Sequence, residues 1–443
     1  MAVQPGERKG RSAFDQLDPP DTEITLDCVH CGFCLPTCPT YLVLGNEMDN
    51  PRGRIYLIRA ASEGKTGISD SFVQHMNLCL LCRACETACP SGVKFGFLME
   101  AARGQMDRHY QYPPADRRLR DFILHNFTDL GRLGTITRFL RFYQRSGLQG
   151  LVRASGILRW FGRLGQMESF LPAIPDRRLR EELPEVTPAK GERRGRAGLL
   201  TGCVQRFFLP QVNSATARVL SENGYEVVVP RDQACCGSLC VHEGEREPAK
   251  AMARRIIDVF DRARVDVVVV NAAGCGSVMK EYWELLRTDP AYAQRAEAFS
   301  KKVRDVSQVL AQVPLNGGLR ALQRTVTYHD ACHLAHGQRV RQEPRSILKA
   351  IPGLRLVELK ESDFCCGSAG VYNLLYPDLA QQFLDRKIER IKETGAEVVV
   401  SGNPGCSLQI EKGLKERGLN IRVVHPVELL DWSYRGRVDA QQM

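Results

Sequence analysis

The sequence predicts an α/β protein with an α+β N-terminal part: a small helical, cysteine-rich module followed by two repeated open parallel α/β units. Three observations predict it. Eight of the 17 cysteines crowd into two short runs, at 28–38 and 79–89. Cys203, Cys235, Cys236 and Cys275 recur as Cys332, Cys365, Cys366 and Cys406 at offsets of 129, 130, 130 and 131, which marks one duplicated unit. Within each copy, short β-branched runs alternate with amphipathic ones, the pattern of successive βαβ units. A chain of 443 residues is too long for one ordinary domain, and 43% hydrophobic with 25% charged residues is a globular composition. The pattern divides it into 1–110, a basic helical linker over 111–196, and the two copies at 197–310 and 325–443.

The N-terminal runs are Cys28-Val-His-Cys31-Gly-Phe-Cys34-Leu-Pro-Thr-Cys38-Pro39 and Cys79-Leu-Leu-Cys82-Arg-Ala-Cys85-Glu-Thr-Ala-Cys89-Pro90. Each is C-x2-C-x2-C-x3-C-P. Three closely spaced thiolates can wrap one cuboidal iron–sulfur cluster, and the fourth, displaced before the proline, reaches the other cluster in two-cluster ferredoxins. This assigns Cys28, Cys31, Cys34 and Cys89 to one [4Fe-4S] cluster and Cys79, Cys82, Cys85 and Cys38 to a second. Such crosswise ligation couples cluster loading to folding. A pair of zinc sites is the competing reading, but zinc knuckles use paired C-x2-C and leave the third cysteine and the C-P without a role. His30 and His75 lie nearby and read as packing residues.

The linker has no cysteine. Between residues 101 and 196 stand 19 Lys and Arg against 10 Asp and Glu, nearly all of the chain's formal +10. Such a stretch suits an acidic partner, anionic lipid or nucleic acid, or is simply a solvated face. Its helical segments, TRFLRFYQR and LVRASGILRWFGRLG, interleave apolar and basic residues. They could lie on a membrane surface, but packing on the flanking domains is the expectation, because buried amphipathic faces are commoner. No apolar run approaches the ~18 residues of a membrane span, and the first residues lack the apolar core of a secretory signal. A cytoplasmic location, peripheral to the inner face of the membrane at most, is expected. Seventeen cysteines in a reducing compartment argue for metal ligation over disulfides.

In the repeated units AGLLTGC, YEVVVP and VDVVVVNA read as buried parallel strands, and residues 378–394 as a helix stopped by Gly395. Cys203, Cys275, Cys332 and Cys406 fall at or just past strand ends, and Cys235–Cys236 and Cys365–Cys366 in loops after another strand. In a parallel sheet these ends share one edge, the usual place for a site. Four thiolates suffice for a cubane-type cluster, so Cys203, Cys235, Cys236 and Cys275 form one candidate set, and Cys332, Cys365, Cys366 and Cys406 another. Metal-free structural copies are the alternative. Cys240 could substitute or be inert, and His329, Asp330 and His333 bracket Cys332, in a supporting hydrogen-bond role or as packing.

The spacing C-x31-C-C-G-x36-G-C-G, repeated as C-x32-C-C-G-x37-G-C, resembles the tandem Cys-Cys-Gly domains of heterodisulfide reductase subunits and of hydroxy-acid dehydrogenase iron–sulfur subunits. The fullest motif ends in C-x2-C, whereas Ala272 and Asn403 stand here at the first cysteine of that element. The five-cysteine arrangement tied to disulfide reduction is therefore incomplete. Segments CVHCGFCLPTCPTY, PRGRIYLIR, CLLCRACETACPSGV and FCCGSAGVY extend the resemblance, over nearly the whole chain, to the iron–sulfur subunits of bacterial glycolate oxidase (glycolate dehydrogenase). The resemblance implies an electron-transfer subunit beside an FAD-containing dehydrogenase subunit, passing electrons toward a membrane quinone and not catalytic by itself. The sequence adds that no G-x-G-x-x-G, P-loop or flavin fingerprint is present, so no flavin is expected on this chain. Alternatives are the equivalent subunit of a lactate or glycerol-3-phosphate dehydrogenase, a disulfide reductase, and a redox-sensing nucleic-acid binder. The last lacks any reading module, so no nucleic-acid partner is expected.

Overall fold

The computed structural model describes residues 11–162, 165, 168, 171–175 and 183–436. The first ten residues and the basic run at 177–180 lie outside them. The described residues form two compact units, one of 11–118 with 240–246, the other of 119–239 with 247–436.

The first unit is helical, and its described residues contain no strand. Helices Pro51–Ser62, Asp70–Asn77 and Phe95–His109 pack Ile55, Ile58, Phe72, Met76, Leu98, Met99 and Met106 into one core. The cysteine loops sit against it, and Cys79 and Cys85 belong to the same cluster of buried residues. Capping fixes the helix starts: the Asn50 side chain accepts from Gly53 N and that of Ser69 from Phe72 N. Residues 240–246 join this unit, where Arg103 Nη1 donates to the His242 carbonyl at 2.6 Å and Arg246 pairs with Asp18 at 3.1 Å.

The second unit holds both sheets. The strands are β1 (Val186–Thr187), β2 (Gly195–Leu199), β3 (Tyr225–Val228), β4 (Val267–Val270), β5 (Val303–Asp305), β6 (Arg324–His329), β7 (Leu354–Val357), β8 (Val398–Ser401) and β9 (Arg422–Val424). One sheet runs β1-β3-β2-β4-β5 and the other β7-β6-β8-β9. All pairings are parallel except that of β1 with β3. Removing β1 leaves β3-β2-β4-β5 and β7-β6-β8-β9, which are the same order, so the duplication seen in the cysteines is a duplication of topology. The predicted helix spans Pro377–Glu393, and Gly395 follows it at φ 61°.

The two sheets share a core. Ala197, Leu199 and Val269 of the first and Val326, Tyr328 and Val400 of the second belong to one buried cluster, with Val219 and Leu220 of helix Pro210–Glu222 and Leu429 and Leu430 of helix Pro426–Arg435. Arg218 clamps Asp431 across this seam with two bonds, 2.8 and 2.9 Å. Each fully buried aliphatic side chain contributes on the order of 1.5–3 kcal/mol, so the seam is held mainly by apolar burial.

The linker helix Leu130–Arg145 buries only Leu133 and Thr137. Phe139 and Phe142 are 70% and 65% exposed, and farther on Leu151 and Trp160 are 68% and 89% exposed. The expected packing is thus confined to a narrow stripe, because the apolar residues of this segment spread over more of the helix surface than one neighbour can cover. Among the described residues no helix is long and apolar enough to cross a membrane.

Candidate iron–sulfur centres

Two cysteine cavities lie in the first unit. One, of about 420 Å³, is lined by Cys28, Cys31, Cys34 and Cys89, with Cys85 in its wall. The other, of about 310 Å³, is lined by Cys38, Cys79, Cys82 and Cys85. The fourth cysteine of each run thus faces the opposite run. Local backbone explains why: Cys38 is the extended residue opening helix Pro39–Leu44, and Cys89 is the extended residue closing helix Ala84–Ala88. Each lies beyond the turn that carries the other three. Both runs also place left-handed residues around the second cysteine, His30 and Gly32 in one, Leu81 and Arg83 in the other. That alternation curls the chain into a bowl, and Leu81 N donates to Cys79 Sγ at 3.4 Å.

Behind the second cavity lies a buried polar network. Arg54, fully buried, donates to the His75 carbonyl, Thr40 Oγ1 and Asp49 at 2.8, 3.2 and 3.5 Å. Asp49 also meets His75 Nδ1 at 2.9 Å, and Thr40 Oγ1 lies 3.2 Å from Cys38 Sγ. His75 is therefore a supporting residue, whereas His30 stands on the exposed rim of the first cavity. Arg54 near a set of thiolates offsets negative charge, and the network ties Cys38 to the core. Burial raises the Cys85 thiol well above its ordinary range and pushes that of Cys34 up to about 11. Metal loading at these thiols would release protons.

In the second unit every candidate cysteine lies at the C-terminal edge of its sheet. Cys203 and Cys332 follow β2 and β6, and the Cys235–Cys236 and Cys365–Cys366 pairs follow β3 and β7. Cys275 and Cys406 lie in the first turns of helices Ala273–Met279 and Pro404–Glu416, slightly farther on than a strand end. Gly237 and Gly367 complete the Cys-Cys-Gly corners at φ 79° and 85°. A Cβ on Gly237 would sit 3.3 Å from Ala249 Cα, and one on Gly367 would sit 2.6 Å from the Ala380 carbonyl oxygen. Only glycine fits both the conformation and the approach.

Neighbouring sulfurs and burial raise Cys203, Cys235 and Cys236 in the first set and Cys365 and Cys406 in the second, where Cys332 and Cys366 are instead lowered. Cys203 Sγ and Cys235 Sγ are 3.7 Å apart, and this contact together with burial raises the Cys203 thiol. In the second copy Cys332 is held down to about 5 by Cys365, with His333 Nδ1 3.5 Å from its sulfur. Contacts with Cys365 and Cys406 likewise hold Cys366 well below the thiol range, while His329, Cys366 and Cys406 bring ligand atoms within 4.8 Å of one another. A depressed thiol is a ready metal ligand. Asp330 does not join them, because its carboxylate is held by Arg345 at 2.9 and 2.7 Å. Asn403, at the place of the missing fifth cysteine, donates to Cys406 Sγ at 3.4 Å and accepts from Gly274 N at 3.2 Å. One side chain thus touches a candidate cysteine of one copy and the neighbour of Cys275 in the other. Cys240 is buried in the first unit, its sulfur 3.7 Å from Glu245. None of the 17 cysteines is joined in a disulfide. The sulfur-rich donor sets and the cavities they line fit iron–sulfur clusters, which supply one-electron transfer.

Comparison with known proteins decides the family. A cysteine-rich domain model matches residues 197–280 and again 326–411, a 4Fe-4S dicluster domain matches 24–93, and the linker region of glycolate oxidase iron–sulfur subunits matches 115–171. The chain is 40% identical over 413 residues to the probable glycolate oxidase iron–sulfur subunit of Bacillus subtilis, covering 91% of this chain and 93% of that one. This chain belongs to the glycolate oxidase iron–sulfur subunit family. The Escherichia coli glycolate oxidase iron–sulfur subunit is 34% identical, covering 86% of this chain and 89% of its own length. The lactate utilization protein A of Halalkalibacterium halodurans is 31% identical, matching 55% of this chain and 99% of its own length. Membership makes this an iron–sulfur electron-transfer protein with a 4Fe-4S dicluster module and two cysteine-rich repeats. Sequence reasoning missed the Arg54 network and the double contact of Asn403. Neither follows from spacing, because both join residues distant in sequence.

Proposed function

We propose that the chain is the electron-transfer subunit of a flavin-dependent 2-hydroxy-acid dehydrogenase with glycolate as the leading substrate. It takes electrons from an FAD-containing partner subunit and passes them toward a membrane quinone. The observation that carries this reading is the gathering of sixteen cysteines into four separate sets, in a chain that aligns with glycolate oxidase iron–sulfur subunits over most of its length. Cys28, Cys31, Cys34 and Cys89 are assigned to one [4Fe-4S] cluster and Cys79, Cys82, Cys85 and Cys38 to the other, supported by the two cavities they line. Cys203, Cys235, Cys236 and Cys275, and Cys332, Cys365, Cys366 and Cys406, are assigned to further centres. Contact through Asn403 supports electron passage between the two repeats.

Substrate chemistry belongs to the partner, since clusters exchange single electrons and a hydroxy acid gives up two with its protons. The match to lactate utilization protein A keeps lactate as the second candidate substrate. Disulfide reduction is disfavoured by Asn403, whose amide occupies the position of the fifth cysteine and bonds to Cys406. The exposed Phe139, Phe142, Leu151 and Trp160, set in the basic linker, support contact with the cytoplasmic face of an anionic membrane near a quinone pool. The test is the complex reconstituted with its flavin subunit. Glycolate should reduce the flavin at an unchanged rate in Cys366→Ser and Cys406→Ser, while steady-state transfer to quinone falls at least ~10-fold, the scale of losing a site's coordination. Glycolate oxidation by this chain alone would refute the proposal, and unchanged turnover in both variants would remove the second repeat from the electron path.

A further inference from the structure

His329 closes β6 and is 1% exposed, and its ring is hydrogen-bonded to the Cys366 side chain. What it faces is sulfur: a His329 ring nitrogen, Cys366 Sγ and Cys406 Sγ all lie within 4.8 Å of one another. Neighbouring groups do not compete for the ring. Asp330 is bound to Arg345, and Lys387 Nζ donates to the carbonyls of Glu361 and Ser362. The duplication supplies an internal control. At the offset of 129 that carries Cys203 onto Cys332, His329 falls on Leu200, so the first copy has a hydrocarbon where the second has an imidazole.

We propose that His329 is a metal ligand of the second repeat's centre, bonded through a ring nitrogen to the same ion as Cys366 and Cys406. Two thiolates and an imidazole are the mixed sulfur–nitrogen set preferred by tetrahedral iron and zinc. Metal–sulfur bonds of about 2.3 Å and metal–nitrogen bonds of about 2.0–2.1 Å place donors on one ion roughly 4 Å or less apart, within small side-chain rotations of this geometry.

The inference rests on the reading of the second repeat as a metal centre, and the experiment separates the two. The full chain is purified anaerobically with 15N-histidine, its iron and zinc are counted, and the second-repeat metal is defined as that lost in Cys366→Ser. If that metal is iron, pulsed paramagnetic resonance should show a directly bonded imidazole nitrogen that shifts with the isotope. If it is zinc, X-ray absorption should show one nitrogen at about 2.0–2.1 Å beside the sulfurs. Either signal should vanish in His329→Cys, which retains a ligand, while the iron of the N-terminal module stays constant. Second-repeat metal without an imidazole nitrogen in the wild-type chain overturns the assignment of His329 and leaves the centre standing. Metal content unchanged by Cys366→Ser overturns both.

Discussion

His425 and Asp305 do the same job in the two copies with different chemistry. His425 opens helix Pro426–Arg435: its Nδ1 accepts from Val427 N at 3.2 Å, and Glu428 accepts from its backbone N–H at 2.7 Å. Asp305 opens helix Val306–Ala311 with the same reciprocal box, closed by Gln308. A carboxylate accepts whenever it is ionised, but an imidazole accepts only while neutral. Burial keeps His425 neutral by lowering its pKa from 6.5 to about 3. Between those values the unfolded chain binds a proton that the folded chain refuses. The contribution is therefore intact above pH 6.5 and is lost as pH falls toward 3, amounting to about 2 kcal/mol by pH 5. His425→Asn keeps an acceptor and removes the titration, so thermal unfolding followed from pH 8 to pH 5 should show a smaller acid loss in the variant. Equal losses would assign the acid sensitivity elsewhere.

At the scale of elements, the cysteine loops explain the crosswise arrangement. Left-handed His30 and Leu81 are non-glycine residues at φ 55° and 52°, a conformation costing on the order of 1–3 kcal/mol each that persists where surrounding structure demands it. The demand here is that three cysteines face one cavity while the fourth, past a short turn, faces the other. Cys89→Ser should then remove the cluster of Cys28, Cys31 and Cys34, and Cys38→Ser the cluster of Cys79, Cys82 and Cys85. Iron content should drop by about four per chain in each, and paramagnetic resonance should show a different surviving signal. Loss in each variant of the cluster in its own run would contradict the arrangement. The linker shows the opposite relation between element and surroundings: its helices form from local pattern, yet Phe139 and Phe142 find no cover within the described residues.

At the scale of the whole second unit, the two copies are one folding body. Val219 and Leu220 from one copy and Leu429 and Leu430 from the other lie in a single core, with Asp431, 3% exposed, held by Arg218 and Arg435. Each sheet thus shares part of its core with the other. Calorimetry and tryptophan fluorescence should therefore report one common transition for both repeats, and Asp431→Ala, which removes the bidentate ion pair with Arg218 at the seam, should lower that transition as a whole by about 1–3 kcal/mol. Two resolved transitions, only one of them moved by the substitution, would show independent domains.

The sequence by itself determined whatever is periodic or short-range. The offset between Cys203 and Cys332 announced the duplication, and alternating strand and helix patterns announced two parallel sheets. Spacing is legible because a tight loop leaves its residues few conformations. The tertiary structure alone decided what lies side by side from distant parts of the chain: Arg54 with Asp49 and His75, Arg218 with Asp431, Asn403 between two cysteine sets, and His329 against Cys366 and Cys406. It also decided that the linker's aromatic face is exposed. An amphipathic pattern states which side of a helix is apolar, but its cover depends on the shape of a neighbour that the helix's own sequence does not encode.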